Sequence, residues 1–239
     1  MLRIGILCCD RVPDELRQRF GDYPDMFRRL LHATGLDPEF RAFDLVNQEW
    51  PPGTDACDAW LITGSRWSVT DQAAWINGAH EWIRRLHREH RPLVGICFGH
   101  QLIANALGGR AGRAAQGWGV GVHRVTIRAQ TSWMMPAATR LCLPVSHRDQ
   151  VHTLPPGAQV LAASAFCPIA AFALEDHILG LQGHPEFEPA FVRQVMDRRR
   201  EQLGETVYRT GLDSLDTPVD TTLAAGWIRR FLERAVERA

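Results

Sequence analysis

The chain contains no lysine: all 27 of its Lys+Arg positions are arginine. Every chemistry that needs a side-chain primary amine is thereby excluded, including a Walker-type phosphate lysine, a Schiff base and a pyridoxal phosphate anchor. Charge of one sign is not in excess either, since 27 Asp+Glu balance the arginines. No electrostatic footprint for nucleic acid follows, and no nucleic-acid partner is expected. Long apolar runs are also missing. None approaches the roughly 18 residues of a membrane span, and the opening MLRIGILCCDRVPDE turns polar at Asp10 instead of continuing as a signal peptide. The six cysteines form no C-x-x-C pair. A disulfide scaffold is not expected at this size, and a reducing cytoplasm is the expected setting.

Hydrophobic residues make up 45% and charged residues 23%, the proportions of an ordinary globular protein. At 239 residues one α/β domain is expected over 1–239, with a core over about 1–190 and closing helices over about 189–239. LRIGILCC, EFRAFDLV, DAWLITGS and RPLVGIC read as strands. Between them lie helical patterns, DELRQRFGDYPDMFRRLLHATG and AAWINGAHEWIRRLHREH, and GHQLIANALGG follows the fourth strand. Such alternation predicts a mostly parallel central sheet with helices on both faces. From GVGVHRVTI to HILGLQGHPE, short apolar runs succeed one another and predict a smaller antiparallel region. Two helices, EPAFVRQVMDRRREQLG and TTLAAGWIRRFLERAVERA, are expected to close the chain, joined by an exposed LDSLDTPVD loop.

The stretch GICFG carries the first chemical signal. A buried structural cysteine needs no glycines around it, whereas Cys97 has Gly95 and Gly99 on either side. A cysteine standing exposed at a strained strand-to-helix turn needs both, so that backbones can pass close by. Such a turn projects its side chain above the carboxyl edge of the sheet, where open α/β sheets bind ligands. It also sets the sulfur at a helix N-terminus, whose dipole favours negative charge, with the Phe98 amide aimed at the same spot as an oxyanion donor. A partner is present in LGLQGHPEFEP. Residues two apart in extended chain project to one side, so His184 is placed to take the thiol proton while Glu186 holds its ring.

With these residues assembled, the chain resembles the class I, triad-type glutamine amidotransferases, and among them a stand-alone branch similar to the amidotransferase part of GMP synthetase. The elbow G-x-C-x-G-x-Q matches at Gly95, Cys97, Gly99 and Gln101, and H-P-E matches at His184 to Glu186. SHRDQV from Ser146 and CPIAAF from Cys167 look like further segments of the GMP-synthetase type. The resemblance implies a flavodoxin-like three-layer α/β sandwich. It implies that Cys97 attacks the side-chain amide of glutamine, or of a γ-glutamyl amide or peptide, to form a γ-glutamyl thioester. His184 would protonate the leaving amine or ammonia and Glu186 would orient His184. Backbone amides of Phe98 and of Gly64, in LITGS, would form the oxyanion hole. Gln101, Ser146 and His147 would hold the substrate's α-amino and carboxylate groups. No cofactor and no metal are implied.

An S-G-G-x-D-S type loop, which the synthetase half of GMP synthetase needs, is absent from the sequence. Two readings therefore remain: a subunit delivering ammonia to a separate synthetase, or an independent γ-glutamyl hydrolase. A non-catalytic or redox-sensing cysteine-elbow protein is a reading of another class, but such proteins usually lack H-P-E on a later strand. A cysteine α/β-hydrolase fits less well, because no lid region is apparent. His80, His87 and His90 in HEWIRRLHREH, like His147, Asp149 and His152, are close enough in sequence for a metal. For the first set a solvated arginine-rich face is the simpler account, and no cysteine or carboxylate is expected to complete a ligand set there.

Overall fold

Alternate residues of the first strand, β1 (Arg3–Cys8), enter different cores. Ile4, Ile6 and Cys8 pack into one, while Leu7 and the following Cys9 pack into the other. The same period of two divides β3 (Ala59–Ile62) and β4 (Leu93–Ile96), so these fully apolar strands are covered on both faces. A computed structural model describes residues 2–237. Residues 238 and 239 of the expected closing helix, and residue 1 of the expected domain, lie outside the described residues.

Four helices accompany the first strands. α1 (Asp14–Phe20) and α2 (Tyr23–His32) replace the single helix expected there, because Gly21 at φ 79° ends the first and Asp22 caps the second. After β2 (Glu39–Asp44) and β3 comes α3 (Ala74–Arg88), and β4 leads into α4 (Phe98–Ala106). The buried stripe of α3, including Trp75, Ile76, Ala79, Ile83 and Leu86, packs with α4 on one face of the sheet. Phe27, Leu30 and Leu31 of α2 cover the other face.

The middle of the chain supplies β5 (Arg110–Arg113), β6 (Gly119–Ile127), β7 (Arg140–His147), β8 (Asp149–Thr153), β9 (Ala158–Ala163), β10 (Ala171–Leu174) and β11 (Ile178–Leu181). The main sheet runs β2-β1-β3-β4-β11-β10-β9-β6-β7, and β5 pairs with β8 separately. Strands β2, β1, β3, β4 and β11 are parallel, and the rest continue the same sheet antiparallel from β11. β11 therefore returns from far along the chain to lie beside β4, with Leu181 opposite Ile96.

The closing region holds α5 (Pro189–Arg198), α6 (Arg200–Leu203), α7 (Glu205–Ser214) and α8 (Thr221–Val236). The expected two helices omit α7, and the expected loop begins inside it. α7 is held from outside its own sequence: Tyr208 is buried in a third core with Phe191 and Met196, and Ser214 Oγ accepts from the Val122 amide at 2.8 Å. Trp227, Ile228, Phe231, Leu232 and Ala235 of α8 are buried, and the helix docks beside α2. Among the described residues no helix is long and apolar enough to cross a membrane.

Candidate active site

The carboxyl ends of the parallel strands converge on Cys97. It caps α4 with φ 52° and ψ −99°, a backbone conformation that non-glycine residues rarely adopt. Its amide bonds to the Leu181 carbonyl at 2.7 Å, tying the turn to the end of β11. A Cβ on Gly95 would lie 2.6 Å from the Gly99 carbonyl, and one on Gly99 would lie 2.6 Å from the Ile62 oxygen. Both glycines are therefore demanded by close backbone approach. The Phe98 amide belongs to the first helical turn, whose N–H groups have no intrahelical acceptor.

His184 stands three residues past β11, with its amide bonded to the Pro144 carbonyl at 2.8 Å. Its Nδ1 lies 2.7 Å from Glu186 Oε1, and both side chains are buried. The pairing is not produced by an extended segment, as the alternation rule expects. Pro185 and Glu186 form a turn, closed by the Phe187 amide on the His184 carbonyl, which folds the carboxylate back toward the ring. Phe187 stacks on the imidazole at 3.9 Å, nearly parallel, and a Cβ on Gly64 would touch its Cε1 at 2.7 Å. Phe187 thus covers one face of the ring, and the lack of a side chain at Gly64 leaves room for its Cε1 edge. Burial alone would push the imidazole down. The charge of Glu186, then the Cys97 sulfur by charge and hydrogen bond, outweigh it and hold the ring above its ordinary value.

The sulfur does not stand proud of the sheet as the sequence led us to expect: Cys97 is 4% exposed. Gln182 covers it, its Nε2 donating to Sγ at 3.4 Å. His184 and Phe187 line a cleft of about 600 Å³ beside it. Burial pushes the Cys8 and Cys167 thiols up to about 12, which keeps them as inert core thiols. Six arginines line the cleft: Arg11, Arg66, Arg113, Arg148, Arg198 and Arg199. Carboxylates hold four of them, through Asp44, Asp10, Asp149 and Glu15. Arg199 instead donates to Ser146 Oγ at 3.0 Å, and Arg148 is exposed.

Comparison with known proteins decides the family, for the model of "Glutamine amidotransferase class-I" matches residues 23–196. The chain belongs to that family. It is 29% identical over 191 residues to Gamma-glutamyl peptidase 3 of Arabidopsis thaliana, covering 77% of this chain and 76% of the relative. It is 34% identical over 167 residues to the GMP synthase of Thermomicrobium roseum, covering 59% of this chain and 31% of that protein. The crystal structure of a glutamine amidotransferase from Thermotoga maritima superposes with a TM-score of 0.76 at 18% identity, covering 99% of this chain and 98% of that one. The expected GMP-synthetase-like class I fold is thus found.

In this amidotransferase chain the remaining expected site residues divide. Ser146 lines the cleft. Gln101 does not: it is 3% exposed, and its Nε2 donates to the Asp149 carbonyl at 2.7 Å and to Gln182 Oε1 at 3.0 Å. His147 also lies buried, its Nδ1 3.1 Å from the Asp149 carbonyl. Both were expected to contact substrate. In the structure both side chains are buried and meet the Asp149 carbonyl at the start of β8. Sequence reasoning missed Gln182, which joins Gln101 to the Cys97 sulfur. Its position two residues before His184, at the end of an apolar run, was the available signal. The cleft arginines were missed as well, since they come from separate segments and form a patch only in the fold.

Proposed function

We propose that this class I amidotransferase hydrolyses γ-glutamyl amide bonds through a thioester on Cys97, and that its donors are γ-glutamyl peptides. The supporting observation is the strained cysteine at the strand-to-helix turn, in hydrogen-bonding reach of an imidazole that Glu186 orients. The Cys97 sulfur attacks the γ-carbonyl carbon. The resulting oxyanion takes hydrogen bonds from the Phe98 and Gly64 amides. His184, held above its ordinary value, carries the proton that passes to the leaving nitrogen as the C–N bond breaks. It then accepts a proton from water as the water attacks the thioester, and glutamate leaves with the sulfur restored.

The substrate class rests on the cleft. A volume of about 600 Å³ is within the range of ligand sites and exceeds what free glutamine needs. Two of its arginines, Arg148 and Arg199, form no salt bridge with a carboxylate among the described residues, and they suit a donor with a second carboxylate beyond the γ-glutamyl group. The Arabidopsis relative named as a γ-glutamyl peptidase supports the same choice. Ammonia delivery to a separate synthetase is the competing reading.

The test is glutamate release by the purified chain alone from glutamine, glutathione and a γ-glutamyl dipeptide. Turnover of the peptides without a partner is expected, and Cys97→Ala is expected to have none. Arg148→Gln should raise KM for the dipeptide roughly tenfold, the scale of one charge-assisted hydrogen bond, and leave a γ-glutamyl anilide lacking the second carboxylate unaffected. Activity on glutamine only, and only when a synthetase is added, would replace this reading with ammonia delivery.

A further inference from the structure

At the edge of the sheet opposite Cys97, the end of α3 meets the β10–β11 hairpin. There His87, Glu175 and His177 bring one potential ligand atom each to within 4.8 Å of one another. Only His87 belongs to the sequence cluster first considered. The carboxylate that meets it in space comes from the hairpin, nearly ninety residues later. We propose that this cluster is a site for a divalent transition-metal cation of the zinc type, held by His87, Glu175 and His177, with His90 at its mouth.

Three observations carry the assignment. First, His177 is 3% exposed, yet its Nδ1 makes no hydrogen bond. A buried imidazole nitrogen normally finds a partner, and an orphan costs about 1–3 kcal/mol. Secondly, that Nδ1 lies 3.4 Å from Glu175 Oε2, and His90 Nδ1 lies 3.5 Å from the same oxygen. Ligands bound tetrahedrally at about 2.0–2.1 Å stand roughly 3.4 Å from one another, so the spacing already suits an ion between them. Thirdly, imidazole and carboxylate are the donor set of zinc and its neighbours, not of calcium or magnesium, which favour oxygen alone.

The rest of the geometry holds the buried ligand in place. His87 and His177 stack at 5.1 Å with ring planes 10° apart, and His87 Nδ1 lies 3.0 Å from His177 Nε2. Binding of the ion replaces that bond, and His87 then serves as a ligand. The His177 carbonyl accepts from the Leu93 amide at 2.7 Å, so the site is anchored where β4 and β11 begin. From His177 to Leu181 the strand runs about 13 Å, which separates the cluster from the elbow. The proposal does not depend on the hydrolytic reading.

Zinc binding to the purified full chain, stripped with chelator and re-titrated by calorimetry, tests it. One equivalent is expected, with the same affinity in wild type and in Cys97→Ala. Glu175→Gln and His87→Gln should each bind at least about tenfold more weakly, a loss already typical when only a ligand's supporting contact is removed. Both positions are at least partly exposed, and an unchanged near-UV spectrum will show that each variant is folded. No binding by wild type, equal binding by the two variants, or binding lost only in Cys97→Ala would each overturn the proposal.

Discussion

At the scale of single residues, the arrangement separates orientation from proton transfer. His184 moves protons in the proposed reaction, whereas Glu186 acts through His184. His184→Ala should therefore lower kcat by at least about a hundredfold, the usual worth of a general acid–base. Glu186→Gln should lose less, because the Phe187 stack still holds the ring. Steady-state glutamate release from a γ-glutamyl peptide measures both. Equal losses would mean that the carboxylate does more than orient. The meeting of Cys97, His184 and Glu186 in the fold was legible in the sequence because each sits in a short, recognisable pattern. Gln101 was legible as part of the elbow, but its direction was not. A side chain in the first turn of α4 faces the cleft or the core according to what β8 and β11 bring beside it, and here they bring Gln182 and the Asp149 carbonyl.

At the scale of elements, the turn from β4 to α4 is the tightest part of the structure around the site. Gly95→Ala would place a methyl against the Gly99 backbone and Ile103, and neither backbone nor strand can withdraw freely. Overpacking of this kind costs about 1–3 kcal/mol, and the loss should appear in the midpoint of denaturant unfolding. Unchanged stability would show that the elbow is looser than its contacts imply. Strands with an unbroken apolar run, such as β3 and β4, could be read directly. Elements fixed by distant partners could not: α7 owes its place to Val122 and Met196, and the α1–α2 break owes its position to one glycine. Periodicity sees neither.

At the scale of the whole molecule, buried histidines set the response to pH. Burial pushes His100 and His147 down to about 3, so both remain neutral in the folded protein. The unfolded chain binds protons at both from about pH 6.5 downward. Stability therefore falls as pH falls below that value, by at most about 1.4 kcal/mol per pH unit for each ring. His184 has the opposite sign. It binds its proton more tightly when folded, so its contribution is complete below about pH 6.5 and is lost as pH rises through the folded value. Denaturant unfolding across pH 4–9 should give a maximum close to neutrality. His100→Gln should flatten the acid limb; an identical slope in that variant would remove burial of this ring as its cause.

The place of β11 bears on how the protein comes into being. Without it the main sheet is two unconnected ribbons, β2-β1-β3-β4 and β10-β9-β6-β7, each with a raw hydrogen-bonding edge. A nascent chain must carry both ribbons, unjoined, until residue 181 has left the ribosome. The keystone strand then seals them, and the same event first brings the imidazole to the sulfur. Completion of the main sheet and the meeting of imidazole and sulfur are thus coupled by topology.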